Sequence, residues 1–295
     1  MASVETLSKY PLIVITGPTA SGKTSLAIDL AEEFGGEIIC ADSRTIYKGM
    51  DIGTAKPTAG ERRSVVHWGL DLVEPGQAFS VADFKTYAYE KIAEIRSRDK
   101  VPFLVGGTGL YIDAVIFDYQ FGAIANTELR DKLERFTIEQ LHDYCLSNNI
   151  ELPENKLNKR YVIRAIEQGG VSRKRNDRMI HNAYVVAIAT DRDVLRARIQ
   201  DRTEQFFDNG VVEEATKLGK KYGWGCAAMT GNIYPLVHQY LEGEIDYDEM
   251  KDKSTTLDWR LAKRQMTWLR RNPDVKWLSL TDARQYLTGI LAKTK

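Results

Sequence analysis

The chain of 295 residues carries 41 Lys and Arg against 41 Asp and Glu, so any affinity for a polyanion has to come from local clusters of charge. Its 43% hydrophobic and 28% charged residues are typical of a globular protein. The three cysteines and four histidines are scattered, which argues against a disulfide framework or a structural zinc site. There is no signal-peptide pattern and no apolar run of about 18 residues, so we expect a cytoplasmic monomer outside the membrane.

The N-terminal part of the chain has the rhythm of strand, helix and strand. The segment PLIVITGPTASGKTSLAIDLAEEFG predicts a strand, a Gly-rich turn and an amphipathic helix. EIICA predicts a second strand, which ends at Asp42 and Ser43, and VPFLV at 101–105 predicts a third strand, which ends in GGTG. This order indicates an α/β fold with a parallel sheet flanked by helices, in which the loops at the strand ends face one crevice.

The pattern changes after residue 117. Residues 118–155 are polar and helical in character, and they predict a helical insertion between two parts of the core, 1–117 and 156–295. AYVVAIAT at 183–190 predicts a further buried strand, and residues 193–223 predict one helix. TTLDWRLAKRQMTWLRR predicts an amphipathic helix that stops at Asn272-Pro273, before the strand VKWLSL.

GPTASGKT at 17–24 matches the phosphate-loop pattern G-x-x-x-x-G-K-[ST], and it lies between a strand and a helix, as that pattern requires. Backbone N–H groups and the helix N-terminus can bind phosphate oxygens, Lys23 can reach them, and the Thr24 hydroxyl can hold Mg²⁺. The residues predicted to bind the phosphates are Gly17, Pro18, Thr19, Ala20, Ser21, Gly22, Lys23 and Thr24.

Phosphate-loop proteins that hydrolyse nucleotides usually carry a metal-binding acid at the end of a neighbouring strand. Here VPFLV ends in GGTG, and the acid at a strand end is instead Asp42. We therefore interpret the loop as the site of a diphosphate leaving group, with Asp42 serving the nucleophile.

Six segments together closely resemble the tRNA dimethylallyltransferase family, also called IPP transferases. They are GPTASGKT, DSRTIYKGMDIGTAKP, VGGTGLYI, NKRYVIRAIE, YLEGEIDYDEM and AKRQMTWLRR. The resemblance implies a phosphate-loop fold related to nucleotide kinases, Mg²⁺, dimethylallyl diphosphate as the donor, and an insertion that grips the anticodon stem-loop of tRNA. It also implies the reaction, which is transfer of the dimethylallyl group to N6 of adenosine 37, next to the anticodon.

The resemblance further implies roles for individual residues. Asp42 falls on the general base, Lys23 and Arg202 on cations that act on the diphosphate, and Thr108 on a position that helps hold the phosphates or the target base. The residues implied to contact tRNA are Asp42, Ser43, Arg44, Thr45, Thr108, Asn158, Lys159 and Arg160. The chain departs from the family before YLEGEI, where the usual Gly-Tyr motif is replaced by NIYP and only Tyr234 aligns.

Three alternatives stay open. They are prenyl transfer to free AMP, ADP or ATP, a small-molecule kinase, and an RNA-binding protein without activity. Two basic clusters favour RNA: eight Lys or Arg against two acids at 156–178, and five against none at 260–271. The intact Lys23, Thr24 and Asp42 favour an enzyme.

Overall fold

The computed structural model describes residues 9–121, 127–169, 176–231 and 233–294. The strands in these ranges form one parallel sheet in the order β3-β2-β4-β1-β5-β6. They are β1 (Leu12–Thr16), β2 (Gly36–Cys40), β3 (His67–Trp68), β4 (Val101–Gly106), β5 (Ala183–Ile188) and β6 (Lys276–Leu278).

Helices make the connections. Those before residue 170 are α1 (Lys23–Phe34), α2 (Ala59–Arg62), α3 (Val81–Ser97), α4 (Gly109–Ile116), α5 (Thr127–Glu134), α6 (Ile138–Ser147) and α7 (Lys159–Glu167). Those after residue 180 are α8 (Arg192–Asp208), α9 (Val211–Tyr222), α10 (Ile233–Leu241), α11 (Tyr247–Leu269) and α12 (Leu280–Leu291), with a 3-10 turn at Ala227–Thr230.

The centre of the sheet is buried and mostly apolar. All five residues of β1 are buried between β4 and β5, as expected for a parallel strand that is covered on both faces. Helices α1 and α12 pack on this part of the sheet through Leu26, Leu30 and Leu287. The predicted parallel α/β fold of the phosphate-loop class is confirmed.

The chain divides into two compact units, one formed by residues up to Ile116 and from Ile180 onward, and the other by Phe117–Met179. The second unit contains α5, α6 and α7 and has its own small apolar core. It extends past the predicted boundary at residue 155, because Val162 and Ile163 of α7 pack against Leu141 of α6. We therefore propose that the insertion extends beyond residue 155 and includes α7.

The structure corrects the prediction of one helix over residues 193–223. Helix α8 ends at Asp208 and α9 begins at Val211, because Gly210 lies in the left-handed region at φ 89 and interrupts the helical path. The two-residue strand β3 and helix α12 were not predicted. No helix in the described ranges is long and apolar enough to cross a bilayer.

Candidate active site

Three loops meet at one edge of the sheet. The phosphate loop follows β1, Asp42 follows β2, and GGTG begins at the end of β4, which lies between those two strands. Because every pairing is parallel, all three loops leave from the same edge, where ligands of open α/β sheets bind. The Thr16 hydroxyl donates to Gly106 O at 2.9 Å and ties the first of these strand ends to the third.

The phosphate loop leads directly into α1. Gly22 is the N-cap of that helix and has φ 87, and Gly17 has φ 142, so both adopt backbone conformations that favour glycine. Lys23 is partly buried, and its Nζ donates to Pro18 O at 3.2 Å. The lysine thus lies folded over its own loop, at the positive end of α1.

Positive charge is concentrated around Lys23. Burial, and secondly the nearby charge of Arg202, lower the pKa of Lys23 to about 8, while the Asp42 carboxylate acts in the opposite direction. The Arg202 guanidinium donates to Thr19 Oγ1. Of the described side-chain atoms, Ser21 Oγ and Arg202 Nε are among those that are buried without a hydrogen-bond partner. The loop and Arg202 therefore present polar groups that an anion would satisfy.

Ser43, the neighbour of Asp42 in the chain, is hydrogen-bonded to Thr108. Asp42 Oδ1 accepts from the Arg44 N–H at 2.8 Å, and this contact orients the carboxylate. Thr108 Oγ1 accepts from the Ser43 N–H at 3.1 Å and lies 3.4 Å from the Ser43 hydroxyl. The structure therefore brings Thr108, predicted after one strand, to Ser43, predicted with Asp42 at the end of another.

The glycines of GGTG are explained by close approach of other groups. A Cβ added to Gly106 would lie 2.1 Å from Ala41 O, and one added to Gly107 would lie 2.3 Å from Gln265 Nε2. At Gly109 it would lie 2.2 Å from the Trp268 ring. A side chain at Gly106 would push against the backbone of Ala41, and one at Gly107 or Gly109 would displace the Gln265 amide or the Trp268 ring.

Arg44 is directed at the 3-10 turn that precedes α10. Its guanidinium donates to Ala227 O at 3.3 Å and to Thr230 Oγ1 at 3.2 Å. Thr45 is buried, with 6% of its surface exposed. A role of Arg44 in binding tRNA therefore requires its guanidinium to share or release these contacts.

The segment after Tyr47 is closed by a buried ammonium group. The Lys56 side chain is 6% exposed, and its Nζ lies 2.6 Å from both Asp51 Oδ1 and Asp71 Oδ1 and donates to Tyr47 O at 2.9 Å. Three acceptors satisfy its three protons, so Lys56 stabilises the loop and is not available to a ligand.

A second charge fixes the same loop from the other side. The Glu214 carboxylate on α9 accepts from the N–H groups of Asp51, Ile52 and Gly53 at 2.7–3.0 Å, and from the hydroxyl of the fully buried Tyr234 at 2.9 Å. Tyr234, the aligned residue of the divergent segment, thus holds the loop internally. Burial, and then the Glu214 charge, raise its pKa above the usual range.

The implied tRNA contacts of the insertion have structural partners. Asn158 caps α7 by accepting from the Arg160 N–H at 3.1 Å, and Lys159 Nζ donates to Glu134 O at 2.6 Å. Part of the first basic cluster, residues 173–175, lies outside the described residues.

In the described part of the chain, a divalent cation at this site would need ligand oxygens in addition to protein oxygens. Among the described residues, no three His, Cys, Asp or Glu side chains are placed to bind a metal ion. Mg²⁺ typically binds through one or two protein oxygens and substrate phosphates, and it retains several waters. The partly buried Thr24 on the first turn of α1 fits this mode of binding.

Sequence reasoning missed the contacts of Gln265, Trp268, Glu214 and Lys56. Gln265 and Trp268 lie in the quoted segment AKRQMTWLRR, so a signal was present, but their partners lie in other elements. Glu214 was one of many charges on a predicted helix and gave no signal.

Comparisons with known proteins identify the family. The model described as "IPP transferase" matches residues 45–272, and a model described as "Isopentenyl transferase" matches residues 10–70. The tRNA dimethylallyltransferase of Geobacillus kaustophilus is 38% identical, in an alignment that covers 94% of this chain and 93% of that protein. That of Acetivibrio thermocellus is 41% identical, with 91% of each chain covered.

Solved structures agree. The tRNA isopentenylpyrophosphate transferase of Bacillus halodurans matches with a TM-score of 0.75 and 34% identity, over 96% of this chain and 97% of that one. A eukaryotic dimethylallyltransferase acting on tRNA matches with a TM-score of 0.77 over 95% of this chain and 76% of that one, and its 22% identity supports the fold alone. The chain belongs to the IPP transferase family.

Proposed function

We propose that the chain transfers a dimethylallyl group from dimethylallyl diphosphate to N6 of adenosine 37 in the anticodon loop of tRNA and releases diphosphate. The observation that carries this proposal is the position of Asp42. It lies at the end of β2, close enough to Lys23 of the phosphate loop to act on its pKa, while the intervening β4 ends in GGTG. One edge of the sheet thus supplies both a diphosphate site and a proton acceptor.

The donor side acts by stabilising charge on the leaving group. As the allylic C–O bond breaks, its electron pair leaves with the diphosphate, whose charge is met by the loop amides, Lys23 and Arg202. Each such contact is worth roughly 3 kcal/mol in the transition state. The unpartnered Ser21 Oγ and Arg202 Nε would both gain a partner from phosphate oxygens. When bound with the donor, Mg²⁺ held by Thr24 would neutralise part of the same charge.

The acceptor side has to remove a proton. The N6 lone pair of adenine is delocalised into the ring, so the amine becomes nucleophilic only as its proton leaves. N6 forms the bond to the allylic carbon and its proton passes to Asp42, whose carboxylate is oriented by the Arg44 N–H. Thr108 and Ser43, which are hydrogen-bonded to each other, would hold the base beside Asp42.

The choice of tRNA over a free nucleotide rests on the second unit and on the relatives. The IPP transferase model covers residues 45–272, which include the whole of Phe117–Met179, whereas the isopentenyl transferase model covers only 10–70. A mononucleotide acceptor gives no reason for the extra unit or for the basic residues on it. We assign tRNA contacts to Ser43, Arg44 and Thr45 in the core, and to Asn158, Lys159 and Arg160 in the insertion.

The test offers the purified protein radiolabelled dimethylallyl diphosphate and Mg²⁺, with unmodified tRNA in one reaction and AMP or ATP in another. We expect label in tRNA, and we expect its loss when adenosine 37 is replaced by guanosine. Label only in the mononucleotide would replace tRNA by a free nucleotide as the acceptor. Label in neither acceptor would refute prenyl transfer.

A further inference from the structure

The amide of Gln265 joins the two sides of the candidate site. Gln265 lies on α11, and its Oε1 accepts from the Thr19 N–H of the phosphate loop at 2.8 Å. Its Nε2 donates to Gly107 O of the GGTG turn at 3.1 Å. One side chain therefore contacts both the predicted diphosphate loop and the turn that carries Thr108.

The chemistry of the two contacts matches an amide. Thr19 offers an N–H and Gly107 a carbonyl oxygen, so the bridging group has to accept at one atom and donate at the other. A carboxylate only accepts, an ammonium group only donates, and an aliphatic side chain does neither. Glycine at position 107 keeps this contact open, because a Cβ there would lie 2.3 Å from Gln265 Nε2.

Further bonds continue this bridge in both directions. On the donor side, the Thr19 hydroxyl accepts from Arg202. On the acceptor side, Thr108 follows Gly107 in the chain, and its hydroxyl accepts from the Ser43 N–H. Besides the Thr16–Gly106 contact at the strand ends, these hydrogen bonds form a path between the donor and acceptor halves of the site, and in this path Gln265 belongs to neither half.

We infer that Gln265 is a positioning residue, which sets the distance and alignment between the bound diphosphate and the base held beside Thr108 and Asp42. This inference rests on the proposed function. Because a bimolecular transfer depends on alignment of the two reacting atoms, a displacement of about 1 Å between the halves can cost roughly 100-fold in rate. The two substrates would still bind, each at its own half.

Kinetics with both substrates varied provide the first test. For Gln265→Leu we expect kcat to fall by roughly 100-fold, while KM for the donor and for tRNA each change by less than about threefold. The next residue on the same helix supplies the matched control, Met266→Leu, for which we expect wild-type rates. Wild-type kcat in Gln265→Leu, or a loss that appears only as raised KM, would overturn the inference, whereas inactive wild-type protein would count against the proposed function.

The charged isostere gives a signature that a purely structural role would not. In Gln265→Glu the ionised carboxylate can accept from Thr19 but has no proton for Gly107 O, and a protonated carboxyl can do both. We therefore expect the ratio of Gln265→Glu activity to Gln265→Leu activity to rise as the pH is lowered from 8 toward about 5, near the ordinary pKa of Glu. A ratio that does not change with pH would contradict the bridge.

A measurement that needs no turnover separates the inference from the proposed function. Inorganic pyrophosphate with Mg²⁺ is added to wild type and to Gln265→Leu, and amide hydrogen exchange is followed in peptides of the phosphate loop and of the GGTG turn. We expect pyrophosphate to slow exchange in both segments of the wild type, but only in the phosphate loop of the variant. Equal slowing of the turn in both proteins would show that Gln265 does not couple the halves.

Discussion

Glu214 offers a prediction whose magnitude follows from its contacts. Its Oε2 accepts from the N–H groups of Asp51 and Ile52, and its Oε1 from Gly53 N–H and the Tyr234 hydroxyl. In Glu214→Gln an NH2 group replaces one of these oxygens and faces at least one N–H donor without an acceptor. Hydrogen bonds to a charged group are worth about 1.5–3 kcal/mol each, and we expect a loss of about 3 kcal/mol in the free energy of unfolding.

Tyr234→Phe removes one of the four bonds and leaves the carboxylate with three N–H donors, so we expect a smaller loss of about 1.5 kcal/mol. Since the two side chains share a bond, the effects should not add. In the Glu214→Gln background, the loss of unfolding free energy caused by Tyr234→Phe should be smaller by at least about 1 kcal/mol than in the wild type. Urea unfolding of the four proteins measures these differences. Glu213→Gln, which changes the exposed neighbouring carboxylate, is the control and should stay within about 0.5 kcal/mol of wild type.

The same variants test whether the loop serves the acceptor. The segment that Glu214 holds, residues 51–53, follows Asp42–Thr45 closely in the chain. Loosening it should therefore raise KM for tRNA more than KM for dimethylallyl diphosphate. If the losses in unfolding free energy of the two single variants add up in the double variant, or if Glu214→Gln is as stable as wild type, Glu214 does not hold the loop as described. Equal changes in the two KM values would refute its link to the acceptor.

Three further predictions concern single charges. The pKa of Lys23 is lowered to about 8, and only its protonated form attracts an anion. Pyrophosphate affinity should therefore fall by about tenfold from pH 7 to pH 9 relative to Lys23→Arg, which stays charged. Parallel pH profiles of the two proteins in a calorimetric titration would contradict this. Asp42→Asn should lower kcat by at least about 100-fold while pyrophosphate affinity is retained, and near-normal turnover would remove Asp42 from its role. Burial raises the pKa of Glu37, but bonds from Trp68, Lys100 and Arg98 outweigh it and lower the pKa below 4.5. The resulting stability is present above the pKa of the unfolded state and is lost as the pH falls through the pKa of the folded state. Glu37→Gln should therefore lower the free energy of unfolding by about 3 kcal/mol at pH 7 and by much less in acid. A difference in urea unfolding that does not change with pH would refute this.

Local patterns predicted the parts of the fold that depend on neighbouring residues. The phosphate loop follows from GPTASGKT between an apolar strand and an amphipathic helix, and the structure has that strand, loop and helix at β1 and α1. Asp42 and Thr108 could be placed at one sheet edge, because parallel strands end on the same side.

Features that depend on distant contacts could not be predicted in this way. The strand β3 has only two residues, and its Trp68 is held by a bond to Glu37, 31 positions earlier. Helix α7 packs on α6 through an apolar stripe within a basic segment, so it groups with the insertion although its charges suggested otherwise. Gln265 reads as an ordinary helical residue until α11 is placed beside Thr19, 246 positions away.

The activity proposed for this chain is prenylation of adenosine 37 of tRNA, with Asp42 as the base. The most direct measurement is mass-spectrometric nucleoside analysis of tRNA from a bacterial strain that lacks its own enzyme for this modification and expresses either the wild-type chain or Asp42→Asn. We predict N6-dimethylallyladenosine, or a nucleoside further modified from it, in tRNA from cells with the wild-type chain, and at most traces with the variant. Unmodified adenosine in both strains, with both proteins present and folded, would contradict the account.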